Sequence, residues 1–171
     1  PLGSSLRYYR QAWESQVRRE SCAEEFCLKR DPAPCHRTCP ANIDIPSFMA
    51  HLGHGDYRAT IEVIRRDNPL PLVCGLVCPA PCESACVRGG SNGAVFIRTL
   101  KAKAAEHCLA EGGYPKPELA PDSGKRIGII GSGPSSLTAA YYLRTRGHQA
   151  EIFEAQEKAG GMLRYGIPAY R

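Results

Sequence analysis

Cys74-Gly75-Leu76-Val77-Cys78-Pro79-Ala80-Pro81-Cys82-Glu83-Ser84-Ala85-Cys86 places a cysteine at every fourth residue. That spacing would line the sulfurs along one helix face, but Gly75, Pro79 and Pro81 break a continuous helix. The stretch is read instead as a turning segment that gathers sulfur. A second group lies upstream, Cys27-x7-Cys35-x3-Cys39-Pro40. Each group holds a Cys-Pro pair, Cys39-Pro40 and Cys78-Pro79. Such pairs suit iron–sulfur loops, where the chain turns sharply away from a cluster and small neighbours let backbone N–H groups approach sulfur.

The rest of the composition narrows the chemistry. Nine cysteines in 171 residues is a high count, and it is odd, which argues against a complete disulfide framework. In a reducing, cytoplasmic compartment clustered cysteines bind metal more often than they pair, so the seven from Cys27 to Cys86 are read as metal ligands. Cys22 and Cys108 stand apart and are read as buried free thiols. Structural zinc is disfavoured because paired C-x2-C knuckles are missing. The net charge of +5 is spread along the chain, which disfavours nucleic acid as a partner. With 43% hydrophobic and 23% charged residues the chain is neither disordered nor membrane-spanning, since no apolar run reaches about 18 residues.

Working outward, the fold is expected to be mainly α. Residues 1–5 read as an expression-tag remnant. Residues 6–113 read as an α-helical iron–sulfur domain, opening with a polar helix whose stripe is Leu6, Tyr9, Trp13 and Val17. Asp44 is placed to cap a helix starting near Pro46, and Asp56 one that ends before Asn68-Pro69. Val95, Ile97, Leu100, Ala104, Ala105 and Cys108 mark a longer helix closing at Gly112-Gly113. The cysteines are assigned to the loops between these helices. Residues 114–124, with three prolines, read as a linker.

Residues 125–171 read as the start of a Rossmann-type domain. Ile127-Gly128-Ile129-Ile130 has the character of a buried parallel strand, and 150–154 of a second, with a helix over 135–146 between them. The turn Gly131-Ser132-Gly133-Pro134-Ser135-Ser136 joins strand to helix. Gly131 permits the tight turn, Gly133 lets the backbone approach a pyrophosphate, and the helix start at Pro134, Ser135 and Ser136 supplies N–H donors and a positive dipole end. Ser136 stands where a third glycine or alanine belongs and is small enough to pack. Glu154, ending the second strand, is placed to accept from a ribose 2′-hydroxyl. One β-α-β unit is too little sheet to hold a dinucleotide, so a piece of a longer protein is expected.

These motifs, with Asp44-Ile45-Pro46, Asn68-Pro69-Leu70 and Cys82-Glu83-x2-Cys86, resemble the small (β) subunit family of glutamate synthase. They are also similar to the amino-terminal part of dihydropyrimidine dehydrogenase. The resemblance runs from Cys27 to Arg171. It implies a helical ferredoxin-like domain with [4Fe-4S] clusters, then FAD and NAD(P)H domains, the last lying outside this sequence. Gly160-Gly161-Met162-Leu163 resembles the segment after the ribose carboxylate in the FAD domain, adding Gly161 and Met162 to the flavin site. By position, one cluster takes Cys27, Cys35 and Cys86, the other Cys39, Cys78 and Cys82, and Cys74 matches a cysteine that is not usually a ligand. Arg30 stands where the family has a further cysteine, and Lys101 where it has a Gln or Glu ligand. An ammonium has no lone pair. Three outcomes stay open: Cys74 or Cys22 substitutes, with Cys74 favoured; a water or external thiolate caps an open iron; or one cluster assembles instead of two.

The implied activity is an NAD(P)H-dependent flavin/iron–sulfur oxidoreductase. Hydride reaches FAD, and electrons pass singly through the clusters to a partner subunit or domain. No side chain reads as a general acid, base or nucleophile, so these residues alone are expected to be inactive. The competing reading is a docking module with a structural metal such as zinc, using the arm around Trp13.

Overall fold

A computed structural model describes residues 32–91, 93–168 and 170. The expected tag remnant, the helix around Trp13, and Cys22, Cys27 and Arg30 lie outside the described residues. From Ala33 onward the chain forms one contact unit. Its helical part comprises α1 (Pro34–Thr38), α2 (Ile45–Gly53), α3 (Tyr57–Asp67), α4 (Pro71–Val77), α5 (Pro81–Ser84), a 3-10 turn over Val87–Gly90, and α6 (Ile97–Ala110). Then follow β1 (Arg126–Ile130), α7 (Pro134–Thr145), β2 (Gln149–Phe153) and α8 (Met162–Tyr165).

The helix starts follow the expected chemistry. Asp44 accepts from the Ser47 N–H at 3.1 Å and from its hydroxyl at 2.6 Å, and Asp56 accepts from the Ala59 N–H at 2.9 Å. Prolines in the first turn begin α1, α4 and α5, where the missing N–H costs nothing. Those prolines also correct one expectation. Cys35, Cys74 and Cys82 lie inside short helices rather than loops, while Cys39 and Cys78 are the residues that end α1 and α4. Proline stops a long helix but starts a short one, so the sulfurs sit on rigid single turns.

Phe48, Ile61, Ile64, Ala104, Ala105 and Cys108 are fully enclosed and form the core between α2, α3 and α6, with Ile43, Ile45 and Ile97 extending it. Cys108 is a free thiol whose Sγ donates to the Tyr57 carbonyl at 3.5 Å, in line with its reading as a buried thiol. The pairing that positions the site is α4 on α6. A Cβ added to Gly75 would lie 2.8 Å from the Cα and Cβ of Ala102, so the two helices meet with almost nothing between them. Glu83 strengthens the corner: its Oε1 accepts the Arg98 N–H at 2.7 Å, capping an α6 whose own preceding residue, Phe96, makes no side-chain cap.

β1 and β2 pair in parallel, Arg126 opposite Gln149 through Ile130 opposite Phe153, with α7 as the crossover. The segment 114–124 has no regular element and is pinned to both sides. Arg65 donates from Nη1 to the Pro115 carbonyl at 2.7 Å, and its guanidinium carbon lies 5.3 Å from the Tyr114 ring and 4.6 Å from the Tyr141 ring. Ala120 and Ser123 donate their N–H groups to the carbonyls of Thr145 and Gly147 at 3.0 and 2.9 Å. Among the described residues no helix is long and apolar enough to cross a membrane.

The α4–α6 contact makes a direct prediction. Gly75→Ala must push the helices apart and should destabilise the chain by about 1–3 kcal/mol, read as a lower urea midpoint. An unchanged midpoint would show that the two helices separate freely.

Candidate metal centre and dinucleotide turn

Three cysteines line one small cavity, although among the described residues no group of three or more His, Cys, Asp or Glu side chains is placed to hold a metal ion. Cys39 at the end of α1, Cys78 at the end of α4 and Cys82 in α5 line it together with Lys101 of α6, on a floor of Ile43, Ile45, Phe48 and Ile97. The chain reaches this arrangement by a reversal at Ala80, whose φ of 55° is left-handed, an expensive conformation for a residue with a Cβ. The reversal turns the Ala80 N–H onto the Cys78 sulfur at 3.4 Å. Burial pushes the Cys82 thiol up, with the neighbouring Cys39, Glu83 and Cys78 adding to the effect.

Lys101 is the anomaly at this site. As a residue it is only 7% exposed, yet its Nζ is not among the buried side-chain atoms left without a partner, so the stem is buried while the ammonium reaches the surface. Arg98, which lines the same cavity, is tied down, its Nη1 donating to the Cys78 carbonyl at 3.0 Å. Three soft donors line the cavity, and thiolates are the ligand type that suits iron–sulfur chemistry.

The other cysteines are distributed differently. Cys86 precedes the 3-10 turn, and backbone N–H groups of Val95, Arg88 and Gly89 hold its thiol below the ordinary range. N–H groups converging on a sulfur are what a bound thiolate needs. Cys35 lies in α1, which packs on α5, but Cys27, its expected companion, is outside the described residues. Cys74, the favoured substitute ligand, does not line the three-thiol cavity. Its Sγ instead donates to Asn68 Oδ1 at 3.6 Å.

The glycine turn has the expected local form. Gly131 has a φ of 87°, Gly133 is the residue preceding α7, and Pro134 opens that helix ahead of Ser135 and Ser136. Glu154 stands beside the turn at the end of β2, but its oxygens are already engaged. Oε2 accepts from the Ser132 N–H at 2.8 Å and from the Ser132 hydroxyl, and Oε1 from the Gln156 N–H at 2.7 Å. A carboxylate has about four acceptor positions, so room for a ribose hydroxyl remains. The loop carrying Gly161 and Met162 folds over the turn. Gly160 donates its N–H to Ser132 Oγ at 2.9 Å, and a Cβ on Gly161 would come within 2.8 Å of the Gly133 Cα. Ser132, 1% exposed, therefore holds turn, strand end and loop together. The sequence assigned it no role, because nothing local signals a bond to a glutamate 22 residues away.

A helical module that presents clustered thiols, followed by a glycine-turn β-α-β unit, defines a class of iron–sulfur proteins coupled to a dinucleotide fold. The chain belongs to the family described as dihydropyrimidine dehydrogenase domain II, 4Fe-4S cluster, whose model matches residues 8–112. An NAD(P)-binding Rossmann-like domain model matches residues 129–166. The chain is similar to the NADPH-Fe(3+) oxidoreductase subunit beta of Geobacter sulfurreducens, at 34% identity over all of the chain and 26% of that protein. It is 38% identical to the NADP(+)-dependent formate dehydrogenase subunit beta of Moorella thermoacetica over 81% of the chain and 23% of that protein. It is 32% identical to the glutamate synthase [NADPH] small chain of Mycobacterium tuberculosis over all of the chain and 35% of that protein. The chain thus spans about a quarter to a third of the length of these relatives. The resemblance read from the cysteine motifs holds.

The Ser132–Glu154 link is testable by acid. Hydrogen bonds from the Ser132 hydroxyl, the Gln156 N–H and the Ser132 N–H hold the Glu154 carboxyl below its ordinary 4.5. A folded-state value below the unfolded one adds stability above the unfolded value and loses it as pH falls through the folded value. Glu154→Gln should therefore lower the urea midpoint most near about pH 6, with the gap to wild type closing toward about pH 3. A gap that does not change with pH would mean that the carboxylate's charge plays no part.

Proposed function

We propose that this chain is the electron-transfer portion of an NAD(P)H-dependent flavin/iron–sulfur oxidoreductase. Its acceptor or donor is a partner subunit or domain, and its compartment is the cytoplasm. The carrying observation is that Cys39, Cys78 and Cys82, drawn from three separate elements, line one cavity with Lys101. Those three thiols are assigned to one [4Fe-4S] cluster, and Cys27, Cys35 and Cys86 to a second. The names of the three relatives, each a subunit of a pyridine-nucleotide oxidoreductase, support the same reading.

Bound clusters and FAD would supply the exchange between two-electron hydride chemistry and one-electron transfer. The chain's own residues bind, orient and shield. Ile43, Ile45, Phe48 and Ile97 keep water from the three thiols, and low polarity around a cluster is one determinant of its potential. The Ala80 N–H polarises the Cys78 sulfur. On the dinucleotide side, Gly131 and Gly133 leave space for a pyrophosphate, Pro134, Ser135 and Ser136 present the positive end of α7, and Glu154 orients the ribose. Gly161 and Met162 close over that turn as part of the FAD site, and the nicotinamide cofactor binds elsewhere in the full-length protein.

The test is iron, acid-labile sulfide and zinc per chain after anaerobic reconstitution. Iron and sulfide in equal amounts are expected, about four of each per cluster, with visible absorbance that Cys78→Ser reduces. Zinc in place of iron would overturn the proposal in favour of a structural-metal module.

A further inference from the structure

We infer that Ser132 is a positioning residue for the dinucleotide: its hydroxyl locks the Glu154 carboxylate so that Oε1 is the oxygen offered to the cofactor's ribose. This rests on the flavin-dinucleotide reading above. It names a residue that the glycine-turn motif itself leaves unspecified, the middle position of Gly131-Ser132-Gly133.

Ser132 is 1% exposed, and both of its polar groups are used. Its N–H donates to Glu154 Oε2 at 2.8 Å, and its hydroxyl donates to the same oxygen. The hydroxyl oxygen in turn accepts the Gly160 N–H at 2.9 Å. An ionised carboxylate can only accept and an N–H can only donate, so the two together fix the direction of the serine proton. Two bonds on Oε2 stop the carboxyl group from turning over. They leave Oε1, which accepts from the Gln156 N–H at 2.7 Å, as the oxygen with room for a ribose hydroxyl.

The hydroxyl's own anchor is firm. Gly160 leads into Gly161, where an added Cβ would come within 2.8 Å of the Gly133 Cα and 3.2 Å of its nitrogen, so loop backbone lies directly on turn backbone. The Gly160 N–H is thereby held at the turn, and Ser132 Oγ carries that fixed position to a glutamate 22 residues away. A free glutamate spreads over several rotamers. One already bonded through Oε2 meets the ribose with that entropy lost beforehand, which strengthens binding without any new contact to the cofactor. Alanine at 132 keeps the backbone N–H bond to Oε2 and removes only the hydroxyl.

The readout is the preference for FAD over an FAD analogue whose adenosine ribose lacks the 2′-hydroxyl. Both affinities are measured by quenching of flavin fluorescence in the deflavinated full-length protein. Wild type should bind FAD about tenfold more tightly than the analogue, the size of one hydrogen bond to a charged group. Ser132→Ala should cut that preference to about threefold or less. Glu154→Ala should abolish it, and adding Ser132→Ala to Glu154→Ala should leave the preference unchanged. If Ser132→Ala does not fold, Ser132→Cys, which offers only a weak S–H donor, should show the same reduced preference.

A serine variant that keeps the wild-type preference, whatever it does to both affinities together, would overturn the inference and leave the proposed function standing. So would a wild type that binds FAD and the analogue equally, since Glu154 would then not meet the 2′-hydroxyl. A full-length protein that binds no FAD would instead remove the flavin reading, and this inference with it.

Discussion

Gly75 against Ala102 is the contact on which the rest of the site depends. Two helices that approach with no side chain between them transmit position without slack. Cys78 follows Gly75 by three residues, just past the end of α4, and Lys101 precedes Ala102 on α6, so this contact sets the spacing between a sulfur and Lys101. Glu83 fastens the third side, since it reaches from α5, which carries Cys82, to the first turn of α6. The left-handed Ala80 lies between these anchors, and its conformational cost is borne by the packing on either side.

The electrostatics of the cavity have the same logic. Lys101 lines the same cavity as Cys39, Cys78 and Cys82, and a metal that binds thiols displaces their protons. Arg98 differs from Lys101 although both lie on α6 and line the same cavity: it is spent on the Cys78 carbonyl and acts as a strut.

Much of this was legible from residue chemistry. The caps at Asp44 and Asp56 and the β-branched run at Ile127–Ile130 are local signals, and the helices and strands read from them fall within one or two residues of their observed places, although that strand, expected to be buried, has no buried residue. The cysteine triad was legible through family resemblance, because spacing alone does not say which sulfurs share a cavity. The placement of cysteines in short helices was missed, since proline punctuates both loops and helix starts. Ser132 was missed for a different reason. A serine in a glycine turn has many local uses, and its bond to Glu154 exists only once β2 is laid beside β1. Lys101 was noticed as a departure in sequence, but its place in the lining of the cysteine cavity is a property of the fold.

The β-α-β unit differs from the helical core in one respect. Neither strand nor α7 contains a buried residue, and Ile130 is 92% and Phe153 55% exposed, whereas Ile61, Ile64, Ala104 and Ala105 are fully enclosed. Two parallel strands with so little covered surface are marginal. Opening free energies therefore divide along the chain. Within these residues, amides of β1, β2 and α7 are expected to exchange with solvent at a lower opening cost than those of α3 and α6.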